Sequence, residues 1–177
     1  DIWDQNRKRL FEYPKIDYSI RSINSLIKSI DFCQIKYPNL KIKTIIVDDH
    51  SSNENLDKLN KIINGKKIEI IPLNHEKYLQ RIKKQKTNET FSNLASLFQS
   101  FEIGKNNGDD LIFFTEDDYL HSQSMLEEMI ASYERIASQI GKDFFMCPAD
   151  YPFLYMNNEK TNILLGNKRH WRTISKT

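Results

Sequence analysis

The chain has 177 residues, 39% hydrophobic and 28% charged, which is enough for one sizeable core and short of what two independent domains need, so 1–177 is read as a single domain. With 26 basic and 24 acidic residues the formal net charge is +2, which argues against a dedicated nucleic-acid binder and against an acidic tail. Cys33 and Cys147 stand far apart in no CxxC or Cys/His spacing, so neither a disulfide scaffold nor a cysteine-based zinc site is expected and a reducing, cytoplasmic setting fits best.

In chain order, Ile20, Ile23, Ile27 and Ile30 recur at helical spacing, with Leu26 and Cys33 widening the stripe, and predict a helix over 17–36 ahead of Pro38. The β-branched run 41–48 (KIKTIIVD) predicts a buried strand that turns abruptly polar at Asp48-Asp49-His50-Ser51-Ser52. Leu56, Leu59, Ile62 and Ile63 form a second helical face closed by Gly65, and 67–72 (KKIEIIP) predicts the next strand. The polar, basic stretch 73–88 lacks a period and is expected to be a connection and candidate lid. Its lysines and arginine read as a solvated face, with phosphates or the inner face of a membrane as the alternative contact.

Phe91, Leu94, Ala95, Phe98 and Phe101 then predict an amphipathic helix stopping at Gly104, and 110–115 a third strand that delivers the chain to Glu116-Asp117-Asp118. Ser124 and Glu127 have capping-box spacing before a long helix from Met125 to Ile140 that ends at Gly141. A fourth strand is expected over 143–147 (DFFMC). Alternating helices and apolar strands predict an α/β fold, with a mainly parallel central sheet covered by helices on both faces, and such sheets bind ligands at the carboxyl ends of their strands. No run approaches the length of a membrane span, and the first residues carry no signal-peptide pattern.

Two of the expected strands end in clustered carboxylates, Asp48-Asp49 and Glu116-Asp117-Asp118. Like charges packed together need a cation, a donor or solvent to offset them, and oxygen-only ligands suit a hard ion such as Mg2+ or Mn2+ that bridges to substrate phosphates. Strand alternation places Glu116 and Asp118 on one face and Asp117 on the other, provided the chain stays extended that far. The plainer account is that these acids solvate strand exits and cap the following helices.

The string IIVDDHSSNENL resembles the strand-loop-helix near the start of family 2 glycosyltransferases of the GT-A fold, a Rossmann-like nucleotide-diphospho-sugar transferase architecture, and FFTEDDYLHSQSML resembles the segment with their D-x-D-type metal motif. In element order the resemblance spans about 17 to 147. It implies that Asp49 accepts a hydrogen bond from the donor's base with Asp48 beside it, that Asp118 is the main metal ligand, and that Asp117 binds the ribose or the metal. Glu116 departs from the family pattern and is assigned to the metal beside Asp118. Asn6-Arg7 faintly matches the turn after the family's opening strand, which would lie upstream of Asp1, so the chain is expected to be a piece of a longer protein lacking that strand and part of the acceptor half.

The activity so implied is transfer of a sugar from a nucleotide-diphosphate donor to a glycan or lipid-linked acceptor, with Mn2+ or Mg2+ at the leaving diphosphate and a carboxylate base on the acceptor hydroxyl. Asp150 and Glu159 follow the fourth expected strand, and Asp150 is the better placed as base, although an Asp among prolines is commonly a turn residue. His170-Trp171-Arg172 offers a stacking and phosphate-binding group or, equally, an aromatic anchor for a terminal segment. His50 and His75 stand alone in the sequence and are assigned no role. The competing classes are a non-catalytic nucleotide-sugar or glycan-binding domain and a receiver-type signalling domain; against the latter, this chain shows no strand-ending Lys after Asp118, and its pair Asp48-Asp49 follows a long amphipathic helix where a receiver's would follow the first strand.

Overall fold

The computed structural model of the protein describes residues 13–82, 88–149 and 161–174. The fold is α/β, and the chain divides into two compact units. One holds the described residues up to Asn24 and from Lys41 to Leu120; the other holds Ser25–Leu40 and the described residues from His121 onward.

Helix α1 runs Lys15–Lys36, as the isoleucine spacing predicts, and buries Ile23, Ile27 and Cys33 along one stripe. In the first unit, strand β1 (Thr44–Asp48) pairs in parallel with β2 (Ile68–Pro72), in register from Thr44 with Ile68 to Asp48 with Pro72. The connection between them is helix α2 (Asn53–Ile63), which buries Leu59 and Ile63 and begins at Ser52, whose hydroxyl accepts the Asn55 N–H at 3.3 Å. Gly65, with φ +74°, supplies the left-handed turn that returns the chain to β2.

Of the expected connection 73–88, residues 73–82 pack through buried side chains, and 83–87 lie outside the described residues. Leu73, Tyr78 and Ile82 are buried with Ala95 in one cluster, and Val47, Phe91 and Leu94 pack against it. The apolar side chains recur only every four or five residues among polar ones, so no period announces them. Tyr78 closes the short helix α3 (His75–Tyr78), and Glu102 on α4 (Asn88–Asn107) accepts hydrogen bonds from Lys77, Tyr78 and Arg81. Helix α4 does not stop at Gly104. There the missing side chain makes room for Phe114, whose ring a Cβ would meet at 3.0 Å, and Phe114 also packs edge-on against Phe101 with ring centroids 4.8 Å apart.

The third and fourth expected strands do not form. Segments 110–115 and 143–147 join no sheet, and among the described residues the pairing consists of β1–β2 and an antiparallel pair, β3 (Ile163–Leu165) with β4 (His170–Arg172). Both runs have strand composition, but a strand exists only where a neighbour takes its backbone groups, and Leu111, Ile112, Phe114 and Phe145 stay largely exposed. Among the described residues the parallel sheet therefore has two strands, β1 and β2.

In the second unit, helix α5 (Met125–Ile140) ends at Gly141, whose φ is +67° and whose N–H reaches the Ala137 carbonyl at 2.8 Å. The expected capping box is absent, because the Ser124 side chain makes no capping bond and Glu127 is turned inward. Glu127 and Glu128 are both buried. Glu127 takes hydrogen bonds from Lys36, Asn167 and Lys168, while Glu128 takes the Ser132 hydroxyl and the backbone N–H groups of Lys168 and Arg169 at 2.8 to 3.0 Å. The pair thereby grips the turn of the β3–β4 hairpin. Trp171 lies on that hairpin against Gly166, where a Cβ would come within 2.6 Å of the indole nitrogen, a packing arrangement that suits an anchor. Cys33 and Cys147 are both free thiols, and among the described residues no helix is long and apolar enough to cross a membrane.

Candidate functional site

Parallel pairing places the ends of β1 and β2 side by side. The ladder continues one step beyond the strands, with the Leu73 N–H donating to the Asp48 carbonyl at 2.7 Å. Beyond it the β1 exit is folded tightly: the Asp48 carboxylate accepts the Ser51 N–H at 3.1 Å, and His50 takes a positive φ of 59°. On the β2 side the buried Gln99 amide bonds both the Pro72 carbonyl and the Asn74 N–H at 2.9 Å, and the Asn74 side chain accepts the Lys77 N–H. These bonds fix where His75 leaves the chain.

The result is a convergence on a single carboxylate oxygen. His50 Nδ1 lies 3.0 Å and His75 Nε2 2.8 Å from Asp49 Oδ1, and the Ser92 hydroxyl is 3.4 Å from His75 Nε2. The two imidazole rings stand 4.9 Å apart, and the Phe91 edge-on contact at 5.8 Å supports His75 from behind. Partial burial pushes the Asp49 carboxyl pKa up, but the hydrogen bonds from His50 and His75 outweigh it and leave the pKa below the usual range. Asp49 is ionised at neutral pH. Neither histidine is foreseen from the sequence, where 25 residues separate them. The available signal is their position, two and three residues beyond two strand exits that parallel pairing brings together.

The second acidic run has different surroundings. Glu116, Asp117 and Asp118 are exposed, and a turn at 117–118 ends the extended chain at Glu116, so the strand alternation that would put Glu116 and Asp118 on one face does not apply. Asp117 turns to α1, accepting the Ser19 hydroxyl at 2.7 Å and facing the Lys15 ammonium at 3.6 Å. The protein around Glu116 raises its carboxyl pKa, and the charges of Asp118 and then Asp117 raise it further. Among the described residues the side chains whose ligand atoms come together closely enough to hold a metal ion are Asp49, His50 and His75, not Glu116, Asp117 and Asp118. Asp48-Asp49 and Glu116-Asp117-Asp118 keep separate hydrogen-bonding partners, the first pair with Ser51, His50 and His75 and the second run with Ser19 and Lys15. Arg7, Asp150 and Glu159 lie outside the described residues.

No protein family matches the chain, and no curated protein or solved structure does either.

Proposed function

We propose that the chain is the donor-binding portion of a metal-dependent glycosyltransferase that takes its sugar from a nucleotide-diphosphate sugar. The observation that carries this reading is the parallel β1–β2 pair with Asp48 and Asp49 at its carboxyl end, the edge at which open α/β sheets bind nucleotides, together with the carboxylates Glu116 to Asp118 in the same compact unit. A larger parallel sheet of the GT-A type belongs to the same proposal. The exposed apolar side chains of Leu111, Ile112 and Phe114 are the surface such a sheet would use.

In this reading Asp49 accepts a hydrogen bond from the base, with Asp48 holding the loop beneath it. Asp118 and Glu116 hold the cation, and Asp117 lies against the ribose or the cation. A bound Mn2+ or Mg2+ would neutralise charge on the leaving diphosphate. Arg7 would contact the donor, and Asp150 would take the proton of the acceptor hydroxyl on a glycan or a lipid-linked glycan. The basic run that includes Lys77 and Arg81 would give peripheral contact with a membrane where the acceptor is lipid-linked.

The test is equilibrium titration with UDP- and GDP-sugars, with Mn2+ and with chelator. Binding is expected with Mn2+ alone, and Asp118→Ala should weaken it by about tenfold or more, since a hard-cation site built from few carboxylates depends on each. Unchanged binding in that variant would remove Asp118 from the site. Donor binding without transfer or donor hydrolysis would reduce the assignment to a non-catalytic nucleotide-sugar-binding domain.

A further inference from the structure

The convergence of two imidazoles on Asp49 has a chemistry of its own, separate from the hard-cation site of the proposed transferase. We infer that Asp49, His50 and His75 form a binding site for a borderline divalent transition-metal ion of the Zn2+ class.

Three observations support it. Each of Asp49, His50 and His75 offers one ligand atom, the three lie within 4.8 Å of one another, and the separations from Asp49 Oδ1 to His75 Nε2 and His50 Nδ1 are 2.8 and 3.0 Å. Ligand atoms about 2.1 Å from one ion stand roughly 3.0 to 3.4 Å apart for octahedral and tetrahedral angles, so the two separations at Asp49 are already close to those an ion requires. Next, the backbone is committed to the arrangement. His50 is the one non-glycine residue with positive φ among the described residues, and that left-handed turn sends its ring back to the carboxylate of the residue before it. Finally, the surroundings suit a ligand set: His75 is braced by Phe91, and its loop is fixed by Gln99 and Asn74.

Two nitrogens and one oxygen select against Mg2+ and Ca2+, which prefer oxygen alone, and in favour of Zn2+, Co2+ or Ni2+. Three protein ligands also leave at least one position open. His50, 70% exposed at its side chain, lies on the solvent side of the group, so that position faces water or a small anionic ligand.

The test uses the full chain in a Cys147→Ser background, stripped with chelator and titrated with Co2+ and then with competing Zn2+, with no nucleotide present. One equivalent of Co2+ should bind with visible d–d bands and be displaced by Zn2+. His75→Gln and His50→Ala should each lower the affinity at least about tenfold, the loss that even an outer-shell partner can cause. His170→Ala should leave it unchanged. His50 is exposed, so its variant keeps the fold and any loss reports on the ligand; far-UV circular dichroism checks this for both variants. Absence of saturable binding, unchanged affinity in both histidine variants, or Mg2+ binding as tightly as Zn2+ would each overturn the site, leaving a hydrogen-bonded cluster. Because the titration contains no nucleotide, it stands or falls separately from donor binding.

Discussion

Glu128 shows how one side chain can hold a whole element. Its carboxylate is buried and bonds the Ser132 hydroxyl and two backbone N–H groups at the hairpin turn, so its removal takes the acceptor from all three donors and leaves the buried Ser132 hydroxyl without this partner. Glu128→Ala is expected to cost about 3 kcal/mol, read as a lower urea midpoint with unchanged slope, and Glu128→Gln roughly half of that. The sequence does not announce this role. Glu127 and Glu128 stand in the first turn of α5, where acids normally face solvent and favour the helix dipole, and Glu127 matches a capping box with Ser124 that is not made. What turns them inward is a set of partners about 40 residues further on, at Asn167, Lys168 and Arg169. His50 and His75 were missed for the same reason, since their common partner is a neighbour only after the strands have paired.

Elements whose causes are local were legible. The isoleucine stripe of α1, the paired faces of α2 and α5, and the glycines that close them all follow from spacing and backbone preference within a few residues. Helix α2 also carries a local start signal. Ser52 caps it through the Asn55 N–H, and Ser52→Ala should lower stability by about 1 kcal/mol, measured by chemical denaturation, while Ser52→Asp should restore it. Strand composition was a poorer guide. The runs 44–48, 110–115 and 143–147 are alike in their apolar content, yet only the first is paired, because pairing depends on a partner such as Ile68–Pro72 and not on the run itself. The extent of α4 past Gly104 has a similar cause: Phe114 fills the space that the glycine leaves, so a local weakness in the helix becomes a packing site.

For the whole molecule, the carboxylates set the response to acid. Glu127 and Glu128 have pKa values below the usual range although burial pushes them up, because hydrogen bonds from Lys168 and Lys36 on the one hand and from Lys168, Ser132 and Arg169 on the other outweigh it. Glu102 is held at about 2 by Lys77 and Tyr78, and Asp49 is lowered by its histidines. A group whose folded pKa is depressed contributes stability above its unfolded pKa and loses it as pH falls through the folded value. Glu116 works the other way, since its raised pKa costs stability at neutral pH and relieves that cost on acidification. Glu54, paired with Lys58, is lowered as well, so among the described residues five carboxylates act against one, and burial lowers the pKa of the His121 imidazole; stability should begin to fall at about pH 6.5 and decline further from about pH 5 downward, as a circular-dichroism acid titration would record. In Glu102→Gln the part of that decline nearest pH 2 should shrink.

The sequence by itself determined the α/β class, the main helices and where α1, α2 and α5 end, the β1 and β2 runs, and the concentration of acids after two apolar stretches, because these rest on spacing and propensity over a few residues. The tertiary structure alone decided which apolar runs became strands, that Glu127 and Glu128 lock a hairpin, and that His50 and His75 meet at Asp49. Each of those outcomes depends on partners 24 to 41 residues apart in the chain, or on the lack of one, and no local pattern encodes such a meeting.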